Sequence, residues 1–123
     1  MSGDSIVVDT SLIINLFNGI EEVQDLLTGR TLFVSIISEI EVLSFSGLSI
    51  TDKDLLRDFI SKCHVVDIEP AIKELTIEIR AKSKVKLPAA IIAATAIYYD
   101  LPLFTMDKGF KRLDDLQAVI LSL

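Results

Sequence analysis

Asp9 closes the first apolar run, Ile6-Val7-Val8, and an amphipathic segment, Thr10-Ser11-Leu12-Ile13-Ile14, begins directly after it. A carboxylate at the exit of a buried strand and the entrance of a helix lies on the rim of an open α/β sheet. Connections converge there and leave a crevice that ligands use. Asp107 follows Leu103-Phe104-Thr105-Met106 in a comparable setting. Glu41 belongs to an apolar helical segment with Ile37, Ser44 and Phe45 on its face, where an unpaired carboxylate is costly. Each acid also has a plain structural reading. Asp9 and Asp107 are good helix caps, and Ser38-Glu39-Ile40-Glu41 fits a capping box. Ser35 is the better cap for a helix beginning at Ile36, which leaves Glu41 inside it; periodicity alone does not choose between Glu39 and Glu41. Jointly the acids carry more. Clustered carboxylates repel one another and persist mainly where a cation offsets them. Oxygen ligands without His or Cys select Mg²⁺ or Mn²⁺. Such ions polarise phosphoryl oxygens and acidify bound water, the chemistry of phosphodiester hydrolysis.

The elements that must position these acids follow from the pattern. Residues 5–9 read as a strand buried on both faces, Thr31–Ser35 as a second and His64–Ile68 as a third. Leu103–Thr105 and Ala118–Leu121 complete the strands. Helices are expected over Thr10–Asn18, Glu21–Leu27, Ile36–Phe45, from Thr51 to about Lys62, from Pro70 to about Lys84, and from Leu87-Pro88 to about Tyr99. The side chains Leu12, Ile13, Leu16 and Phe17, and Leu55, Leu56, Phe59 and Ile60, should form core. Strands alternating with helices imply parallel pairing and a layered α/β domain. There is no internal repeat or linker, and 123 residues suit one domain over 1–123.

Bulk properties exclude several classes. Half the residues are hydrophobic, so a core needs no metal or disulfide support. Cys63 is the single cysteine and His64 the single histidine, which argues against structural zinc and places both at or near the core. The N-terminus lacks a signal-peptide pattern. The longest nearly apolar stretch, Leu87–Tyr99, is shorter than the roughly 20 residues a spanning helix needs. A soluble, cytoplasmic protein is expected. The net charge of −6 disfavours a broad nucleic-acid binder, yet a metal site built of acids is itself a source of negative charge. A dinucleotide site lacks its Gly-x-Gly-x-x-Gly after the first strand. A phosphoacceptor receiver lacks paired acids after the first strand.

Four ordered segments resemble the PIN domain, in particular the VapC-type toxin ribonucleases of type II toxin–antitoxin pairs. They are Val8-Asp9-Thr10-Ser11-Leu12-Ile13, Val34 to Leu43, Leu87-Pro88-Ala89-Ala90-Ile91-Ile92-Ala93-Ala94-Thr95-Ala96, and Leu103 to Phe110. The resemblance covers nearly the whole chain. It implies a three-layer α/β/α domain around a parallel sheet, with four acids at one end holding Mg²⁺ or Mn²⁺ for RNA cleavage. Asp9 matches the first acid, Glu41 rather than Glu39 the second, and Asp107 the fourth. Thr10, Ser11 and Thr105 match polar positions beside the metal. The resemblance also implies a homodimer and a VapB-type antitoxin partner.

The third acid is absent. The family usually has Asp after Leu-Pro, and here the residue is Ala89. Gly109 also stands where relatives are often acidic. Ala89 is either a substitution that silences a toxic ribonuclease or a natural mark of a weakened homologue. The expectation is a metal-dependent endoribonuclease scaffold, inactive or weakened at position 89, with Asp9, Glu41 and Asp107 as metal-binding and catalytic residues. The alternative is a non-catalytic PIN-like module that binds RNA or protein. The basic run containing Arg80, Lys82, Lys84 and Lys86 reads as a solvated helix end or as a phosphate contact leading into the Ala89 turn; Lys108, Lys111 and Arg112 could extend it.

Overall fold

A computed structural model describes residues 4–123. Five parallel strands form one sheet in the order β3-β2-β1-β4-β5. They are β1 (Ser5–Val8), β2 (Thr31–Ser35), β3 (His64–Val66), β4 (Leu103–Thr105) and β5 (Ala118–Ile120). Six α-helices connect them: α1 (Thr10–Phe17), α2 (Glu21–Leu27), α3 (Ile36–Leu43), α4 (Ile50–Ser61), α5 (Pro70–Lys82) and α6 (Leu87–Tyr99). A 3₁₀ turn spans Lys108–Arg112.

The sheet is central because its middle strand is buried along its whole length, Ser5 being followed by the apolar run Ile6-Val7-Val8. Every residue of β1 is buried. Alternate side chains serve opposite layers. Ile6 and Val8 join Leu12, Ile13, Val23, Val34, Val42 and Leu56 beneath α1–α4. Val7 and Leu103 join Ile92, Ala93 and Ala96 beneath α6 on the other face. Residues Ala90 to Ala96 of α6 are all buried, and the many alanines let α5 and the sheet close in around it. The chain winds outward from β1 to β2 and β3, then returns across the opposite face to β4, on the other flank of β1. The strand order therefore reverses at β1 and β4, and the crevice opens at their carboxyl ends.

Most expected elements form within a residue or two of their sequence limits. The differences have local causes. Helix α4 begins at Ile50 because Ser49 and Asp52 make a reciprocal capping box, with Asp52 N donating to Ser49 Oγ and Ser49 N to Asp52 Oδ2, both at 3.0 Å. Helix α3 ends at Leu43, where the Ser44 hydroxyl bonds back to the Ile40 carbonyl at 2.5 Å and the chain turns at Gly47 with φ +84°. Helix α6 opens at Leu87 with Pro88 in its first turn, where a missing N–H costs no helical bond. His64 is exposed, contrary to the core placement expected for it: β3 is an edge strand, and the ring stacks on Phe33 at 4.8 Å between centroids. Cys63 is partly buried, and that burial pushes its thiol up to about 11. The expected core stripes are narrower than drawn. Phe17 and Leu55 are exposed, whereas Leu12, Ile13, Leu56 and Ile60 are buried.

Candidate functional site

Strand register sets the first pair of site residues. Val8 pairs with Phe104, so the next residues, Asp9 and Thr105, emerge side by side. Asp9 is only 3% exposed, and it caps α1 by accepting from Leu12 N at 3.0 Å. The same oxygen, Oδ1, accepts from the Ser11 hydroxyl at 2.7 Å. The other, Oδ2, accepts from the fully buried Thr105 hydroxyl. Both hydroxyls are themselves acceptors: Met106 N donates to Ser11 Oγ at 3.2 Å, and Asp107 N to Thr105 Oγ1 at 2.9 Å. Two backbone amides beyond β4 are thus relayed through two hydroxyls onto the two oxygens of one carboxylate. The relay fastens the end of β4 to the start of α1.

Burial raises the Asp9 carboxyl above its ordinary range. The donors Thr105, Ser11 and Leu12 act in the opposite sense, and the nearby Asp107 charge raises it further. The two acids line one cleft at the switch point, Asp9 buried and Asp107 exposed.

Asp107 caps the 3₁₀ turn, its Oδ1 accepting from Gly109 N at 2.8 Å. A Cβ at residue 109 would stand 3.1 Å from that oxygen, so glycine leaves the carboxylate room. Glu41 is inside α3 and half-buried, and the Ser38–Glu41 capping box does not form. Ser35 caps the helix instead, accepting from Ile37 N at 3.2 Å. Glu41 reaches across to α1, where Thr10 donates to its Oε1 at 2.6 Å. Thr10 Oγ1 is also 3.0 Å from the buried Ser38 hydroxyl. The Thr10–Ser38 pairing was not legible in sequence, where Ser38 reads as one polar residue beside Glu39 and Glu41 on the same short helix.

A cleft of about 310 Å³ brings Asp9, Glu41 and Asp107 together with Thr10, Ser11 and Ala89. Lys86 also lines it. Thr105 does not line the cleft; it is buried and bonded to Asp9 and to the Asp107 amide. Among the described residues, no three His, Cys, Asp or Glu side chains converge tightly enough to enclose a metal ion. The donor set nevertheless fits a hard cation in kind. All three side chains offer carboxylate oxygens, and Glu41 Oε2 and Asp107 Oδ2 have no hydrogen-bond partner among the described residues. Ala89 adds a methyl group where a further carboxylate would have lined the same cleft. Of the basic residues read from sequence, Lys84 and Lys86 line the cleft or the cavity beside it, while Arg80 and Lys82 do not.

This open α/β sheet with acids at its switch point has the architecture of small nuclease-type domains. The PIN domain family model matches residues 6–116, and the chain belongs to that family. No curated protein sequence matches the chain. Among solved structures, a toxin–antitoxin complex from Klebsiella pneumoniae is similar at 29% identity and a TM-score of 0.81, over 93% of this chain and 95% of that one. VapBC2 from Rickettsia felis, bound to a DNA fragment from its promoter, matches at 20% identity and a TM-score of 0.81, over 96% and 99%. VapBC-1 from nontypeable Haemophilus influenzae matches at 22% identity and 0.78, over 94% and 97%. The last two likenesses concern the fold.

Proposed function

We propose that this protein is the toxin member of a VapBC-like pair, a single domain over residues 1–123 built as a metal-dependent endoribonuclease and weakened by Ala89. The observation that carries the reading is the meeting of Asp9, Glu41 and Asp107, from three separate segments, in one cleft at the switch point. Mg²⁺ or Mn²⁺ would be held by these three carboxylates, and when bound it would acidify water and polarise a phosphate. The protein's own part is positional. Thr105 and Ser11 fix both oxygens of Asp9, and Thr10 fixes one oxygen of Glu41, so the carboxylates are oriented before any ion arrives. With position 89 apolar, one ligand and one negative charge are lost. Loss of a key electrostatic group commonly costs about 10²–10³-fold in rate.

The partner in this reading is a VapB-type antitoxin, supported by the toxin–antitoxin complexes among the structural relatives. RNA is the substrate and the chain acts in the cytoplasm as a homodimer; no helix in the described residues is long and apolar enough to cross a membrane. Ala89 itself favours one second reading, a non-catalytic module that keeps the cleft for RNA or protein contact.

The test compares this chain with its Ala89→Asp variant on total RNA with Mn²⁺ or Mg²⁺. A third protein adds Glu41→Gln to Ala89→Asp. Cleavage by Ala89→Asp, abolished again by Glu41→Gln, is the expected result. Silence of the restored protein on every RNA offered would transfer the assignment to the binding module.

A further inference from the structure

The cations around α5 and the 3₁₀ turn do not all face one way. Arg80 Nε donates to the Val85 carbonyl at 3.4 Å, so its guanidinium braces the loop between α5 and α6. Lys82 borders an adjoining cavity with Asp114 and Asp115 that shares no lining residue with the acid cleft. Lys84 and Lys86, with Arg112 at the boundary between the two cavities, line a half-open cavity of about 260 Å³. This cavity shares Lys86, Ala89, Asp107 and Phe110 with the acid cleft, so the two are continuous. Asp9 and Glu41 line only the cleft, Lys84 and Arg112 line the cavity beyond it, and Asp107 and Lys86 stand where the two meet, in a chain whose net charge is −6.

We infer that Lys84, Lys86 and Arg112 form a phosphate-contact wall for a single RNA strand running out of the acid cleft. The inference rests on the nuclease reading for the identity of its ligand. The cavity is too small for a duplex and suits one sugar–phosphate unit. Its apolar floor is Val85, Phe110 and Leu113, and Phe110 and Leu113 are themselves buried. No exposed aromatic ring lies in it to stack a base, so it reads backbone rather than sequence. Ala89 lies at the junction of the two cavities beside Lys86 and Asp107, and its methyl adds no fourth carboxylate to the path of a phosphate.

Fluorescence anisotropy of a short, labelled, mixed-sequence single-stranded RNA, in EDTA over a salt series, tests this on the chain as it stands. Lys84→Ala combined with Arg112→Ala is expected to weaken binding about tenfold and to lower the salt slope by roughly 1.4, about 0.7 for each lost phosphate contact. Lys111→Ala is the control: it is exposed, one residue from Arg112, and lines neither cavity. All the substituted side chains are exposed, so unchanged melting temperatures are expected alongside. Equal weakening by Lys111→Ala, an unchanged slope in the double variant, or no binding at any salt would overturn the inference. Placing the double substitution in the Ala89→Asp protein separates it from the nuclease reading. Cleavage with unchanged KM overturns the wall and leaves the nuclease. Absence of cleavage by Ala89→Asp, with RNA still held through Lys84 and Arg112, overturns the nuclease and leaves the wall.

Discussion

Thr105→Val is expected to be among the most damaging single-atom-scale changes in the molecule. Valine keeps the shape of this fully buried side chain and removes only its hydroxyl. That hydroxyl donates to Asp9 Oδ2 and accepts from Asp107 N at 2.9 Å. A hydrogen bond to a charged group contributes about 1.5–3 kcal/mol, and an amide left without its acceptor adds up to about 1 kcal/mol more. The expected loss at neutral pH is therefore about 2–4 kcal/mol. For a chain of this length that corresponds to a fall in melting temperature on the order of 10 °C. Thr105→Ser is the matched comparison. It keeps the hydroxyl and removes one buried methyl, worth about 1 kcal/mol. Urea unfolding in EDTA measures both. The sign of the pH dependence is also fixed. Thr105 lowers the Asp9 carboxyl, so its loss sends that carboxyl higher still. The penalty arises from the ionised form, and it should shrink as pH falls toward 3.8 and Asp9 protonates in both proteins. A serine variant less stable than the valine variant, or a valine penalty that grows on acidification, would refute the relay as described.

Asp9→Asn should flatten the metal-free stability profile on the acid side. The folded carboxyl is raised above 3.8, so its stabilising contribution is complete below 3.8 and is lost as pH rises through the folded value; unfolding at a series of pH values shows whether the asparagine protein lacks this slope. Leu12→Ala removes a fully buried side chain from the α1–β1 contact and should cost about 2–5 kcal/mol in denaturant unfolding. Ser49→Ala dismantles the capping box of α4, for an expected loss of about 1 kcal/mol by the same measurement.

The sheet was legible because its strands are short apolar runs bounded by turn residues, and β1, buried on both faces, had no competing reading. The acids at β1 and β4 were legible for the same reason: each follows a strand directly, and register does the rest. Glu41 was harder. Helical periodicity allowed Glu39 equally, and only the family resemblance separated them; in the fold, Glu41 is the one that meets Thr10 and lines the cleft, while Glu39 borders a different cavity. His64 failed because an edge strand exposes side chains that a central strand would bury, and edge position depends on strand order, which local pattern does not encode. The directions of the basic run were not legible for a similar reason. The four cations from Arg80 to Lys86 are close in sequence, but a helix end followed by a loop points them in different directions.

The three acids do not argue equally for catalysis. Asp9 caps α1 and anchors the end of β4, so folding alone gives a reason to keep it. Asp107 caps the 3₁₀ turn, and the same applies with less force because it is exposed. Glu41 caps nothing, sits in the second turn of a helix already capped by Ser35, and holds one side-chain hydrogen bond, to Thr10. A glutamine there could accept that bond just as well. The presence of a carboxylate at 41 therefore needs an explanation outside stability, and a cation in the cleft would supply one. It follows that Asp9 variants confound folding with chemistry, whereas Glu41→Gln in the Ala89→Asp protein removes the charge and leaves the scaffold. That substitution, more than any change at Asp9, separates a nuclease with one ligand missing from a domain that merely looks like one.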